Sequence, residues 1–481
     1  MKVDKKITLK TKLMYASGEI CGGGAFLIIS LLFMIYLTDV VHLSPLLAGT
    51  LFLVGKIWDA IIDPTIGYMT DHTVSRFGRR RIYFLACILP IFITYSLLWS
   101  SVSFKSQAAL FVFYLLAYLL FNTVFSLVMI PYYAINADMT GDYKERTSLS
   151  GFRLIFSSSA SILCGIVPKM IVDMFGGNEA KGYMVMGICF AALFALVWFI
   201  VFAGTWENKK YEKTEDGKSN IFKDVRTVFR NKSFRIHIGM FLSCMAAIDF
   251  ISTLFAYFLT YCLNRPDEFS AVLGTLLVVQ VVAMPVHMAI SKKYDKTAPF
   301  RVGMVSWGLA LILAFFVPQL EGKMIIYIVS ILSGIGTSAA YLVPWSIIPE
   351  LADVDEMIST KSRPGMYYGM VTFIRQLSLA LTVFLIGVVL EWTGYVPNVE
   401  QSGMTKMMIQ ILFSIVPIVF IFLSIFFSTK YKMTDAKYKI LKDEIARRRA
   451  GGIKEEVAAE TKSVCEELTG LSYNKLWNEN I

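Results

Sequence analysis

"WDAIIDPTIGYMTDH", residues 58–72, sets three aspartates into the end of an apolar run. Asp59 and Asp63 are four residues apart, and Pro64 follows the second directly. On a helix this spacing places both side chains on one face, with Cβ atoms about 5–6 Å apart. A charge at the centre of a bilayer costs at least about 2.5–3.5 kcal/mol even on the mildest scale. Whether this stretch crosses a membrane therefore decides how its acids are read.

The flanking sequence answers that. Of 481 residues, 56% are hydrophobic and only 17% are charged, where a soluble chain carries about 25% charged residues. Apolar runs lie near 14–38, 46–69, 82–101, 108–136, 149–174, 183–203, 236–262, 269–290, 301–318, 323–348, 366–392 and 405–428. Each can cover the ~20 residues that a bilayer requires. The pattern predicts an all-α integral membrane fold of twelve transmembrane helices. The long polar stretch "WENKKYEKTEDGKSNIFKDVRTVFRNKSFR" divides them six and six. The expected organisation is an N-terminal six-helix bundle at 1–204, a connector at 205–235, a C-terminal six-helix bundle at 236–428 and a tail at 429–481. In the tail, "TDAKYKILKDEIARRRAGG" reads as a capped helix ending in glycine. The last thirty residues read as loose.

Lysine and arginine set the orientation. Five lysines precede the first run, Arg76, Arg79, Arg80 and Arg81 follow the second, and the connector and tail are rich in both. The opposite loops carry only Lys105, Lys181, Arg265, Lys323 and Lys406. Both termini are expected to be cytoplasmic, in a cell inner (plasma) membrane. The opening "MKVDKKITLKTK" leads into a full span without a small-residue cleavage site, so it is not expected to be removed. The formal net charge of +10 is explained by the membrane surface, and no nucleic-acid motif accompanies it. Seven scattered cysteines form no metal-ligand spacing and read as small buried hydrophobes. Four histidines form none either. With no nucleophile triad, phosphate-binding loop or cofactor motif, an enzyme is not expected.

The two halves echo one another. "MIPYYAIN" (129–136) matches "LVPWSIIP" (342–349), and "GTLFLV" (49–54) matches "GTLLVV" (274–279). Paired repeats around a central site are a common plan of secondary transporters. In the second repeat the stretch before the proline reads "VVQVVAMP" and holds no acid. The fold does not need carboxylates there, so the first repeat keeps them for another purpose. Two carboxylates this close repel unless a cation or proton lies between them, and they titrate as a unit. Such a pair suits reversible binding of Na⁺, Li⁺ or H⁺. The other reading is a structural one, in which they pair with Arg153 or Lys56 to hold helices together.

Three stretches carry a family resemblance. "YLTDVVHLSPLLAGTLFLVGKIWDAIIDPTIGYMTDHTVSRFGRRR", "IPYYAINADMTGDYKERTSLSGFR" and "PELADVDEMISTKSRPGMYYGMVTFIRQL" resemble the glycoside–pentoside–hexuronide:cation symporter family. That family belongs to the major facilitator superfamily and includes the melibiose permeases. The resemblance implies twelve helices working by alternating access, with a cation (Na⁺ or H⁺) and a sugar, glycoside or uronide moved together. It implies no other cofactor, and a monomer whose partners are a small-molecule substrate and the bilayer. Asp59 and Asp63 match the family's cation-site aspartates, with Na⁺ slightly ahead of H⁺. Arg153 matches an arginine near the substrate, Tyr133 stands where the permeases have a tryptophan against the sugar, and Thr372 matches a polar position near the site. Trp345, in the echo of the Tyr133 stretch, joins them. Asp71, Arg76, Arg79 and Arg146 are expected at a gate or cytoplasmic loop.

The departures are as informative. A Lys–Asp pair of the permeases is Gly22–Gly23 here, their sugar-binding aspartate is Met129, and a lysine of theirs is Gln376. Glu19, one turn before Gly23, is the candidate third acid of the cation site, or else simply a helix-end glutamate. These changes keep open an amphipathic or lipid-like solute, which some animal members carry. A membrane sensor that no longer transports is a further reading, although such a protein would gain nothing from two costly acids.

Overall fold

The computed structural model describes residues 7–140, 143–207, 228–320, 322, 324–360 and 364–477. Among the described residues there is no strand. Eleven helices are long and apolar enough to cross a membrane, and a twelfth pass is broken. It runs as Arg81–Ala86 and Ile88–Leu98, interrupted at Cys87. Pro90 explains the interruption, because it has no N–H to give to the Ala86 carbonyl one turn earlier. The twelve expected passes are therefore present, with the third in two pieces.

The halves are alike in backbone as well as in sequence. Span one ends in a widened π-turn at Tyr36–Val40, followed by His42 at φ 59°. Span seven ends in the same way at Phe258–Cys262, followed by Asn264 at φ 55°. The hydrogen bonds repeat too: Val41 N–H to Tyr36 O and Leu43 N–H to Leu37 O, then Leu263 N–H to Phe258 O and Arg265 N–H to Leu259 O. Short stretches of π-helix are rare and gather at functional sites.

The chain packs as two units. The first comprises Met1–Glu215, Ser252–Leu277 and Ala380–Gln410, and the second Asp216–Ile251, Val278–Leu379 and Ile411–Ile481. In the first, glycines set the closest helix approaches. A Cβ on Gly24 would lie 2.5 Å from the Cys164 sulfur, one on Gly55 2.3 Å from the Tyr118 ring, and one on Gly387 2.4 Å from the Pro45 carbonyl oxygen. Small residues let membrane helices pack backbone to backbone in this way.

In the second unit the predicted tail helix forms at Asp435–Arg449, capped by the Thr434 hydroxyl. The expected loose ending is overturned over residues up to 477. Ala459–Thr469 is a second helix, closed by Gly470 at φ 77°. Val464, Cys465, Leu468, Tyr473 and Leu476 are buried. The pair is fastened to the end of span ten: Arg449 to Glu356 at 2.5 Å, Lys442 to Asp353 at 3.0 Å, and the Tyr438 hydroxyl to Asp353 at 2.5 Å. The Ser233 hydroxyl donates to Leu468 O (2.7 Å), and Trp477 N–H donates to Met357 O (2.8 Å).

Candidate functional site

Asp59 and Asp63 lie on Pro45–His72, a continuous helix despite Pro64 inside it. This helix packs against Gln107–Met139. The absence of a side chain at Gly55 brings in Tyr118, and Trp58 Nε1 donates to Thr123 Oγ1 at 2.9 Å. That register brings Ser126 to the acids, and its hydroxyl donates to Asp63 Oδ1 at 2.5 Å. Asp59 is only 4% exposed. Its Oδ2 receives the Lys56 ammonium at 2.7 Å, while its Oδ1 has no hydrogen-bond partner. Of the two pairings considered for these acids, the one with Lys56 is formed. Together with Ser126 they offer four carboxylate oxygens and one hydroxyl, Asp59 buried and Asp63 half-buried, a donor set suited to a small hard cation.

Glu19, the candidate third acid, is engaged by an arginine. Its carboxylate pairs with Arg153, 3.2 Å from Nε, and the Arg153 guanidinium lies 4.8 Å over the Tyr133 ring. Tyr133 is 49% exposed, so this arginine–tyrosine pair presents an accessible face. Met129 is buried, and its terminal methyl lies 2.6 Å from where a Cβ on Gly22 would sit. The two departures from the permease pattern are thus one packing change, a thioether filling the space that a missing side chain leaves. In the second unit Thr372 is exposed, Gln376 is half-buried, and Trp345 packs edge-on against Phe241 at 5.2 Å.

Of the expected gate residues, Arg76 and Arg79 lie in the loop between spans two and three. Three successive backbone N–H groups, of Arg79, Arg80 and Arg81, converge on the Glu207 carboxylate at 2.9, 2.9 and 2.8 Å. Gly78 at φ 105° makes that turn, and a Cβ there would strike Glu207. Arg80 Nη1 reaches Asp138 at 2.7 Å, and Arg79 Nη2 reaches it at 3.5 Å. The Arg76 guanidinium lies 4.8 Å over the Phe77 ring. The side chains of Asp71 and Arg146 fall outside the described residues.

Two constellations escaped the sequence reading. Asp39, in the π-turn of span one, accepts from Thr38 (2.6 Å) and from the hydroxyls of Tyr261 and Tyr395, while Asn398 Nδ2 donates to its carbonyl at 2.6 Å. Its pairing with Tyr261 joins equivalent places of the two π-turns. In the second unit, Arg375 grips Asp249 with two bonds of 2.7 Å each. Asp249 is buried. The signal was available in both cases, an acid in an apolar run, but its partners lie more than a hundred residues away.

Comparisons with known proteins agree with this architecture. The MFS/sugar transport protein family matches residues 14–435. The chain is 26% identical to the putative glycoside/cation symporter YagG of Escherichia coli, over 92% of this chain and 96% of that one. It is 24% identical to the sodium-dependent lysophosphatidylcholine symporter 1-B of Danio rerio, over 90% and 88%. Among solved structures, a bacterial homologue of the lysosomal transporter Spinster superposes with a TM-score of 0.64 at 14% identity, covering 89% of this chain and 98% of that one. The chain therefore belongs to the MFS/sugar transport protein family and is a multi-pass membrane transporter with the major facilitator fold, not an enzyme.

Proposed function

We propose that the protein is a symporter that couples Na⁺ entry to uptake of a sugar, glycoside or uronide by alternating access, in the plasma membrane with both termini cytoplasmic. The observation that carries this reading is the Asp59–Asp63 pair. It is an acidic pair in an apolar helix, absent from the matching place in the second repeat, with the Ser126 hydroxyl already on Asp63. Arg153 and Tyr133 are assigned to the substrate. A guanidinium over an aromatic ring offers donors to sugar hydroxyls or a uronate carboxylate, and the ring offers a face to the sugar. Met129, Thr372, Gln376 and Trp345 complete that assignment. Asp59 and Asp63 hold the cation, with Glu19 assigned as the third acid. Arg76 and Arg79, with Asp71 and Arg146, are assigned to the cytoplasmic gate. The name of YagG supports a glycoside and a cation, and that of the Danio rerio relative supports sodium.

A second reading, an amphipathic or lipid-like substrate, is favoured by Met129 packed into the space at Gly22, which replaces charge with apolar surface. The same Danio rerio relative bears on it. A thermal-shift screen of the purified protein separates the two, using sugars, glucuronides and lysophospholipids, each with and without Na⁺. A Na⁺-dependent shift with glycosides or uronides supports the first reading. A shift confined to lysophospholipids replaces it with the second.

A further inference from the structure

Lys56 lies one turn before Asp59 on the same helix, and it is only 7% exposed. Its ammonium sits 2.7 Å from Asp59 Oδ2 and 4.4 Å from the centre of the Phe26 ring. A buried lysine in an apolar span carries the same penalty as a buried aspartate. Two buried charges, Lys56 and Asp59, and the half-buried Asp63 thus lie within two turns, with a net charge of −1.

The ammonium does not saturate its partner. Asp59 Oδ1 has no hydrogen-bond partner, and neither does the side-chain oxygen of Asn122. Asn122 is 1% exposed. It lies one turn before Ser126 on the span-four helix, at the level where Gly55 admits that helix: a Cβ on Gly55 would come within 3.3 Å of Asn122 Nδ2. Two buried acceptors without donors are costly as they stand, and a metal cation satisfies such oxygens; the Asn122 amide nitrogen is also without a partner. With the two Asp63 oxygens and the Ser126 hydroxyl the two acceptors make five oxygens, donors of the kind hard cations take.

We propose that Lys56 is a resident counter-cation. Its ammonium holds Asp59 in the ion-free protein. The coupling ion binds by displacing it, and Asp59 Oδ1 and Asn122 Oδ1 become ligands beside Asp63 and Ser126. A buried and a half-buried carboxylate without this lysine would bind a cation too firmly to release it. The tethered ammonium supplies the competing charge that returns the site to its empty state. This inference rests on the reading of Asp59 and Asp63 as the coupling-ion site.

The test uses the purified full-length protein, titrated with NaCl or LiCl against choline chloride at constant ionic strength and pH. The melting temperature serves as the readout. The Lys56→Met variant is expected to melt lower without Na⁺ and to bind Na⁺ about tenfold more tightly than wild type, equivalent to about 1.4 kcal/mol. The Lys56→Arg variant keeps the wild-type midpoint. Asn122→Ala weakens the midpoint by about tenfold. A folded Lys56→Met protein whose Na⁺ midpoint equals or exceeds that of wild type overturns the proposal. If that variant does not fold, Lys56→Gln and Asn122→Ala decide in the same way, and a wild-type midpoint in both overturns it. Absence of any Na⁺ or Li⁺ response in wild type is a different result. It removes the sodium-coupling reading itself, and this inference with it.

Discussion

Replacing Arg375 with methionine removes one member of the ion pair in the second unit. The pair is bidentate, with both bonds at 2.7 Å, and the Asp249 side chain is 5% exposed. Taking away the guanidinium leaves a carboxylate buried without a countercharge, a change that costs about 3–5 kcal/mol, whereas replacing both partners with apolar groups of similar volume is often neutral. The expected order follows from that asymmetry. Arg375→Met and Asp249→Leu are each strongly destabilised, and the Asp249→Leu/Arg375→Met double variant is more stable than either single one. The assay is a double-mutant cycle on the purified protein, following thermal unfolding by the exposure of buried cysteines. Coupling between neighbours of this kind reaches about 0.5–3 kcal/mol. Additive losses, or an Arg375→Met protein as stable as wild type, would refute the claim that the two charges depend on each other.

Two other predictions are more local. Ser126→Ala removes the hydroxyl on Asp63 and should weaken the Na⁺-dependent thermal shift, while Ser126→Thr should preserve it; an unchanged alanine variant would take Ser126 out of the ion site. In the tail, burial pushes the Cys465 thiol up to about 12. At pH 8 such a thiol is ionised roughly three orders of magnitude less than an ordinary one, and only the thiolate reacts. In a background with Cys465 as the sole cysteine, maleimide labelling should be slow, and Arg449→Glu, which turns the contact with Glu356 repulsive, should accelerate it at least tenfold. Equal rates would mean that the tail is not held there by that ion pair.

The spans were legible because each is a long apolar run, and the bilayer admits few other solutions for such a run. The break at Cys87 was written in Pro90. The pairing of Asp59 with Asp63 could be read because four residues of helix fix it locally. Ser126 could not be chosen, since the register of span two against span four depends on Gly55 admitting Tyr118, which no local pattern reveals. Asp249 with Arg375 and Asp39 with Tyr261 and Tyr395 were hidden for the same reason. The tail was misread for a different one. In "SVCEELTGLSYNKLW" the apolar residues make no unbroken run, because polar residues, charges and a glycine interrupt them, yet Val464, Cys465 and Leu468 share one helical face. Gly470 then turns the chain so that Tyr473 and Leu476 join them, a contribution that only tertiary contact makes visible.

The central claim is that Asp59 and Asp63 bind the ion that drives accumulation. The most direct measurement places wild type and Asp63→Asn in proteoliposomes with an inward Na⁺ gradient at constant pH, and follows uptake of the radiolabelled glycoside or uronide that gives the largest Na⁺-dependent thermal shift. Removing one carboxylate halves the ligand charge of a site for a hard cation, which needs several oxygen ligands. Wild type should concentrate the solute above its external level, and Asp63→Asn should only equilibrate it. An Asp63→Asn protein that still concentrates solute against its gradient would contradict the account.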